Sequence, residues 1–269
     1  MMMSNTGNSQ LLNAQAITGW RDAFGVLADV EVVQETGSTN TDLMQRLATL
    51  ERPLLLVAER QTAGRGRAGR SWLSVPGGVL TFSLAWKLPQ SGAQLMGLPL
   101  VIGLAAAETL KALAVPVGLK WPNDIWRDGK KMGGILVESA PAAGGGTWIV
   151  GGIGLNLLVP EALEATLGVQ VADAPWLAQM DRNQLLGTLL NALARLLEQF
   201  AISGFAPFAA RWNALHVFEG QMVQIQDQGK ILLEGQALGV DEEGYLLLNT
   251  SAGVRRVVSG DVSLRPVKE

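Results

Sequence analysis

The sequence predicts an α/β domain followed by a small all-β barrel, within a chain of 269 residues. In the first part, short apolar runs typical of buried strands alternate with Ala- and Leu-rich segments at helical spacing. From Glu219 the chain changes to short alternating runs such as Met222–Ile225, separated by turn signals such as Gln228-Gly229. We therefore predict a disordered leader over residues 1–10, an α/β domain over 11–218 and a β-barrel over 219–269.

The elements of the α/β domain follow from these patterns in chain order. Predicted helices cover Leu11–Trp20, a segment that begins at Ser38–Asp42, Gly97–Leu113, Asp181–Phe200 and Phe205–Leu215. Predicted strands cover Val30–Gln34, Leu54–Ala58, Val79–Trp86, Val117–Lys120, the runs on either side of Asp128-Gly129, and Trp148–Leu158. In the second helix, Thr39 is the predicted N-cap, and Asp42 takes the capping-box position three residues later.

Composition narrows the class of function. The chain has no cysteine and a single histidine, His216, which excludes a disulfide framework, a cysteine-based zinc site and a thiol nucleophile. We expect a structural role for that histidine. The net charge of -3 offers no general attraction to nucleic acid. No apolar run reaches the roughly 18 residues of a membrane span, and the polar start does not resemble a signal peptide. These features predict a soluble, cytoplasmic protein that does not associate with a membrane.

The segment Gln61–Trp72, here called the Gly/Arg loop, combines three glycines with three arginines directly after a predicted buried strand. Glycine lets backbone N–H groups approach a ligand closely, and arginine matches phosphate or carboxylate, so the loop suits an anion. Its glycine spacing also matches the dinucleotide-binding fingerprint. However, residues 71–78 form a poor helix, and Lys87 stands where the ribose-binding acid is expected. The loop is also compatible with an RNA-binding Arg/Gly segment or with a solvated surface turn.

Three further segments place polar or charged residues beside strands with few side chains. Lys120–Asp124 closes a strand with a charge, a proline and two polar groups. Lys131–Glu138 puts a lysine before a glycine pair, and Gly151–Asn156 carries three glycines in one strand. Each segment alone is also compatible with a turn, a solvated hairpin tip or a weak strand. Together they predict one sheet whose glycine-containing strands leave room for a ligand and end near cations.

These residues form five motifs that occur in the order found in biotin protein ligases. The motifs are Gly37–Asn40, Gln61–Trp72, Lys120–Asp124, Lys131–Leu136 and Gly152–Asn156. From about residue 11 to its end, the chain resembles the bacterial biotin–acetyl-CoA-carboxylase ligases. The resemblance implies a mixed-sheet catalytic domain of the class II tRNA synthetase type, followed by a small SH3-like barrel. Because the chain begins almost directly at that domain, it is similar to the members without an N-terminal DNA-binding domain, and no DNA binding is expected.

The reaction that the resemblance implies has two steps and uses ATP, Mg²⁺ and biotin. The biotin carboxylate attacks the α-phosphate of ATP, which gives biotinyl-5′-AMP and pyrophosphate. A lysine of the biotin carboxyl carrier protein then accepts the biotinyl group, and AMP leaves. Neither step needs a nucleophile from the protein, which agrees with the absence of cysteine. A lipoate or octanoyl ligase of the same superfamily and a non-catalytic biotin sensor are competing functions, and a homodimer through exposed strand edges is a further expectation.

The resemblance also implies roles for individual residues. Those expected at biotin are Ser38, Thr39, Asn40, Gln61, Arg65, Gly66, Arg67, Lys131 and Gly134. Those expected at the nucleotide are Arg65, Arg67, Trp72, Asn123, Asn156, Trp176 and Arg265, with Asn156 also approaching Mg²⁺. Those expected in catalysis are Lys131, Arg67, Lys120 and Asp124.

Four of these expectations are more specific. Lys131 is expected between the biotin carboxyl and the α-phosphate, and Asp124 is expected to orient the incoming lysine amine. Gly134 is expected to leave room for the ligand. The Gly/Arg loop is expected to order over the bound ligand and to exclude water.

Overall fold

The computed structural model describes residues 11–160, 170–260 and 262–267. The predicted leader, residues 1–10, lies outside the described residues. The helices within them are α1 (Ala14–Thr18), α2 (Thr39–Arg46), α3 (Leu98–Ala112), α4 (Arg182–Ser203) and α5 (Ala209–Asn213). The strands are β1 (Asp29–Thr36), β2 (Leu54–Gln61), β3 (Val79–Leu88), β4 (Gly118–Lys120), β5 (Asp124–Arg127), β6 (Lys130–Pro141), β7 (Thr147–Asn156), β8 (Met222–Asp227), β9 (Lys230–Val240), β10 (Leu246–Thr250), β11 (Gly253–Val257) and β12 (Ser263–Pro266).

Seven strands form one mixed sheet in the spatial order β1-β2-β3-β7-β6-β5-β4. β1 and β2 are parallel, joined by a crossover through α2, and the other neighbouring pairs are antiparallel. The hairpin between β5 and β6 turns at Asp128-Gly129, where both residues have positive φ, as the predicted tight turn requires. This architecture is the mixed α/β fold that the sequence predicts.

The two faces of this sheet pack against different helices. On one face, α3 and α4 bury a large apolar core, to which α1 contributes Ile17. On the other face, Leu43 of α2 and Leu47 directly after it pack in a smaller apolar cluster that includes Trp148 and Val150. Because α2 is only eight residues long, it covers part of that face and leaves the ends of β6 and β7 to other elements.

Two helical segments of the described residues have the length and apolar character of a membrane span, Gly92–Ala112 and Arg182–Ser203. The buried fractions of their most apolar windows are 67% and 61%, respectively. Both belong to the apolar core of the large sheet, so packing against the sheet accounts for their composition.

The start of α2 differs from the prediction. Ser38, not Thr39, is the N-cap, because its hydroxyl accepts a hydrogen bond from the Thr41 amide at 3.5 Å. Asp42 consequently lies one position beyond the capping-box site, and it accepts a hydrogen bond from the Thr36 hydroxyl. The shift by one residue turns the Thr39 side chain towards β3, where it takes part in the site described below.

The remaining five strands form a separate antiparallel sheet in the order β11-β10-β9-β8-β12, matching a small SH3-like domain. Its buried side chains include Val223, Ile225 and Leu264, which alternate with more exposed residues as the period of two predicts. The part of the chain that carries this sheet is in direct contact with the α/β part. Trp121 Nε1 donates to the carbonyl of Gly244 at 3.3 Å, and Asn213 pairs with both backbone groups of Val240 at 2.7 and 3.0 Å.

Candidate active site

A cavity of about 630 Å³ lies on the α2 face of the large sheet. Its walls come from the start of α2, the Gly/Arg loop, residues 120–124 and the strand β12, and its floor comes from β6 and β7. The predicted site residues that line it are Ser38, Thr39, Asn40, Gln61, Arg65, Gly66, Arg67, Trp72, Lys120, Asn123, Asp124, Lys131, Gly134, Asn156 and Arg265. Its volume is within the range of sites that bind cofactor-sized molecules.

The structure does not bring Trp176 to this cavity. The indole of Trp176 is 39% exposed and stacks with Arg127, whose guanidinium carbon lies 4.5 Å from the ring centroid. Arg127 also donates to the carbonyl of Asp173 at 2.8 Å. These contacts hold the segment before Trp176 beside the end of β5, and Trp176 is not among the residues that line the cavity.

The glycines of the cavity floor make room for protein side chains. A Cβ atom at Gly154 would lie 2.1 Å from the Trp72 indole, and one at Gly152 would lie 2.1 Å from Asn40 Oδ1. At Gly134 the nearest atom would be Lys131 Nζ at 3.0 Å, followed by the Trp72 ring at 3.4 Å. Gly134 lines the cavity beside Lys131 and Trp72, and the expectation that it leaves room for the ligand stays a prediction.

The Gly/Arg loop folds back on itself through backbone hydrogen bonds. Trp72 N donates to the Gly64 carbonyl at 2.8 Å, and Gly66 N donates to the Arg70 carbonyl at 2.7 Å. A Cβ at Gly64 would lie 2.4 Å from the Trp72 carbonyl oxygen, so this close approach requires glycine. At the tip, Ala68 has φ 52°, in the left-handed region that a non-glycine residue adopts at some cost. The result is a compact turn whose base carries Trp72 onto β7.

Each arginine of the loop has a different environment. Arg65 donates to Glu138 at 2.7 Å and to the Thr41 hydroxyl at 3.1 Å. Arg67 donates to Asn123 Oδ1 at 2.8 Å and to the backbone carbonyl of Gly260, which connects the loop to the second sheet. Arg70 lines the cavity, and its charge contributes to lowering the pKa of Lys120. Arg65 and Arg67 thus have protein partners. Arg70 also lines the cavity, although it is not among the site residues expected from the sequence.

Among the charged side chains that line the cavity, two lysines and one carboxylate lie close together. Lys131 Nζ lies 2.6 Å from Asp124 Oδ1, and this pairing joins the adjacent strands β5 and β6. Lys120 is buried, with its ammonium 4.4 Å from the centroid of Trp126. Burial is the main cause that lowers the pKa of Lys120 to about 8. The nearby Asp124 carboxylate raises this pKa, whereas the positive charges of Arg265, Lys131 and Arg70 lower it further. The cavity therefore holds more positive than negative charge at this end, which favours an anionic ligand.

At the other end, a chain of side-chain hydrogen bonds lines the floor. Ser83 Oγ lies 2.6 Å from both Thr39 Oγ1 and Asn40 Oδ1. Gln61 Oε1 accepts from the Thr39 amide at 2.8 Å. Asn40 Nδ2 donates to Glu138 at 2.9 Å. The side chains come from α2, β2, β3 and β6, so only the folded sheet brings them together.

Three remaining site residues have local roles in the structure. Asn123 donates to the Ile135 carbonyl at 2.8 Å while it accepts from Arg67, so it joins the Gly/Arg loop to β6. Asn156 is buried and donates to the Ala172 carbonyl at 3.2 Å. Arg265 comes from β12 and makes the second sheet part of the cavity wall.

The residues of the cavity fit a magnesium ion that is bound mainly by phosphate oxygens better than one bound entirely by protein side chains. Across the part of the chain that the structure describes, no group of three His, Cys, Asp or Glu side chains could hold a metal ion. Mg²⁺ commonly takes one or two protein ligands and completes its shell with water and phosphate oxygens. Asn156 could supply one such oxygen, because its hydrogen bond to Ala172 uses only the amide nitrogen.

Four contributors to the site are absent from the residues that the sequence predicts for it: Ser83, Glu138, Arg70 and Trp126. Ser83 had a usable signal, since a polar residue within an apolar strand needs a buried partner. Glu138 also had a signal. In a strand every second residue lies on the same face, so Glu138 shares a face with Gly134. Nothing in the sequence distinguishes Arg70 from Arg65 and Arg67, since only the loop fold decides which arginines have partners.

Comparisons with known proteins agree with this geometry. Residues 31–156 match the Biotin/lipoate A/B protein ligase family, and residues 219–265 match the Biotin protein ligase C terminal domain. The Bifunctional ligase/repressor BirA of Escherichia coli is 36% identical over 97% of this chain and 80% of its own length. The Biotin--[acetyl-CoA-carboxylase] ligase of Mycobacterium tuberculosis is 34% identical over 94% of this chain and 92% of its own.

Solved structures give the same result. The biotin protein ligase from Aquifex aeolicus, in complex with biotin and ATP, has a TM-score of 0.74 and 30% identity, covering 88% of this chain and 99% of that protein. This likeness in fold, the relatives at 34% and 36% identity and the family matches over both sheets agree, and the chain belongs to the biotin protein ligase family, a family of ligases.

Proposed function

We propose that this protein is an ATP-dependent biotin protein ligase acting on the biotin carboxyl carrier protein of acetyl-CoA carboxylase. Biotin is first activated to biotinyl-5′-AMP with release of pyrophosphate, and its acyl group then passes to a carrier lysine. The same proposal assigns residues 11–218 to the catalytic domain and 219–269 to the C-terminal domain. Support comes from relatives named as biotin ligases and from the solved relative that binds biotin and ATP.

The observation that carries the proposal is the arrangement of two chemically different regions along β7. The hydrogen-bonding side chains meet the strand at Gly152, and Trp72 and Lys131 meet it at Gly154 and its neighbour Gly134. Two residues of strand span ~7 Å, about the reach of a small bicyclic ligand and the start of its tail. A ureido ring suits the polar region, whereas a carboxylate and a phosphate suit the cationic one.

In the first step two anions must approach each other. Lys131 lies beside Asp124 and can place a compact positive charge between the biotin carboxylate and the α-phosphate. Arg70, Lys120 and Arg265 add positive charge around the phosphates. Arg67 holds the Gly/Arg loop against Asn123 and the second sheet, which restricts water at the reacting centre. ATP brings Mg²⁺, with Asn156 as its candidate protein ligand.

In the second step the carrier lysine must present a neutral amine to the acyl group. Asp124 is the proposed acceptor that orients this amine, since its carboxylate lies at the cavity and already faces an ammonium group. The protein supplies no covalent nucleophile in either step. Positioning and charge neutralisation account for the proposed chemistry.

The test is incubation with biotin, ATP, Mg²⁺ and a carrier domain, with lipoate as the competing acid. Transfer of biotin and not lipoate is the expected result. Lys131→Ala is expected to slow pyrophosphate release about 100-fold or more, the scale seen when one preorganised charge-stabilising group is lost. Transfer of lipoate instead of biotin would overturn the substrate assignment, and an unchanged rate in Lys131→Ala would overturn the role of that lysine.

A further inference from the structure

Glu138 occupies a position that joins the ligand pocket to the Gly/Arg loop. It lies on β6, on the same face as Gly134 and Leu136, just beyond the cavity lining. One carboxylate oxygen accepts from Asn40 Nδ2 at 2.9 Å, and the other accepts from Arg65 Nη2 at 2.7 Å. Arg65 also donates to Thr41 on α2. A single carboxylate therefore contacts the floor of the pocket and the loop above it.

The direction of the hydrogen bonds depends on this carboxylate. A carboxylate only accepts, so Asn40 must turn its Nδ2 towards Glu138 and its Oδ1 towards Ser83. Asn40 Oδ1 also only accepts, so Ser83 gives its single proton to Asn40. The Thr39 hydroxyl then has two acceptors within reach, Ser83 Oγ at 2.6 Å and Gln61 Oε1 at 3.1 Å. Glu138 thereby determines which way the Asn40 amide faces and where the Ser83 proton points.

We propose that Glu138 is a positioning residue: its carboxylate fixes the orientation of the Asn40 amide and holds Arg65, so that the pocket and the loop adopt their binding geometry together. The inference rests on the proposed function for the identity of the ligand. Glu138 does not line the cavity, and it acts through Asn40 and Arg65. The ligand class is a cyclic urea with an acidic tail, because a urea needs both donors and acceptors at defined places.

The test compares Glu138→Gln with Glu138→Asp. Asn40 and Arg65 donate to different oxygens of Glu138, and the glutamine side chain has one oxygen and one NH₂ group, so it cannot present a separate acceptor to each of them. The aspartate side chain keeps two acceptor oxygens but is one methylene shorter. As a matched control, Glu108→Gln breaks a comparably exposed pair with Arg211, with a shortest contact of 2.6 Å, outside the cavity lining.

Two readouts separate this role from a general loss of stability. In the ligand-free protein, trypsin cleavage after Arg65, Arg67 and Arg70 reports how firmly the loop is held. We expect Glu138→Gln to be cleaved about tenfold faster than the wild type. In the ligase assay, we expect its KM for biotin to rise about tenfold, with KM for ATP and kcat within twofold. Glu138→Asp is expected to recover part of both effects, and Glu108→Gln is expected to match the wild type.

The outcomes are distinguishable. If Glu138→Gln had the same rate of trypsin cleavage and the same KM for biotin as the wild type, the positioning role would be overturned. Changes of the same size in Glu108→Gln would overturn it as well. A wild-type protein that transfers no biotin would overturn the proposed function, while the trypsin comparison would still decide whether Glu138 holds the loop.

Discussion

At the scale of single residues, the structure separates residues that were indistinguishable in the sequence. The loop arginines illustrate this, since all three line the cavity. Arg65 pairs with Glu138 and Arg67 with Asn123, whereas the charge of Arg70 lowers the pKa of Lys120. The two lysines also differ, because Lys131 pairs with Asp124 while Lys120 lies against aromatic rings. Burial and partners, which depend on distant residues, decide what each charge can do.

His216 makes the stability of the protein depend on pH in a defined window. Neither ring nitrogen has a hydrogen-bond partner among the described residues, and burial lowers the pKa of His216 to about 4. The unfolded chain, with a pKa near 6.5, binds the proton first as pH falls. Stability is therefore fully present above about pH 6.5 and is lost as pH falls towards 4.

The prediction is that His216→Phe removes this dependence. The wild type should lose up to about 3 kcal/mol more than the variant between pH 7 and pH 4, from ~1.4 kcal/mol per pKa unit. Urea unfolding of both proteins at several pH values measures the difference, in which the contributions of other titrating groups cancel. Parallel curves for the two proteins would contradict the assignment.

At the scale of elements, β7 shows how one strand serves two purposes. Its residues alternate between the α3 face and the cavity face, so Gly151 meets Ile102, whereas Gly152 and Gly154 meet Asn40 and Trp72. The sequence revealed a glycine-rich strand, but it did not reveal what fills the space. Trp72, which fills the space at Gly154, comes from a loop 82 residues earlier in the chain.

This alternation predicts that substitutions at Gly154 and Gly151, which face opposite sides of the sheet, have different effects. Gly154→Ala should displace the Trp72 indole, because the new Cβ would lie 2.1 Å from it, and should lower ligase activity at least tenfold. Gly151→Ala meets the end of the flexible Ile102 side chain at 2.7 Å and should reduce stability more than activity. Tryptophan fluorescence and biotin KM, measured on both variants, provide the comparison. Equal activity losses at the two positions would contradict this division of the strand into two faces.

At the scale of the whole molecule, a buried ion pair connects three parts of the chain. Glu59 on β2 accepts from Arg182 at the start of α4 at 2.8 and 3.0 Å, and also from the Leu12 amide at 2.8 Å. Both charged side chains are nearly inaccessible to water. Such a pair costs desolvation to form, and removing the carboxylate takes negative charge away from a buried guanidinium.

We expect Glu59→Gln to lower the free energy of unfolding by about 3–5 kcal/mol. Glu35→Gln is the matched control, because Glu35 pairs with Arg60 at 2.7 Å but more than half of each side chain is exposed. Its loss should be below about 1 kcal/mol. Denaturant unfolding of the two variants at neutral pH distinguishes them, and similar losses would show that burial is not the deciding factor.

The sequence by itself predicted most strands and helices in chain order, the change to a small β domain, and fifteen of the residues that line the cavity. These features depend on local periodicity and on motifs contiguous in the chain. Tertiary structure decided the N-cap of α2, the outward position of Trp176, and the partners of Arg65, Lys131 and Gly154. The physical reason is that hydrogen bonds, burial and close packing act between residues far apart in sequence, and their pairing is set only when β6 and β7 align beneath the loop.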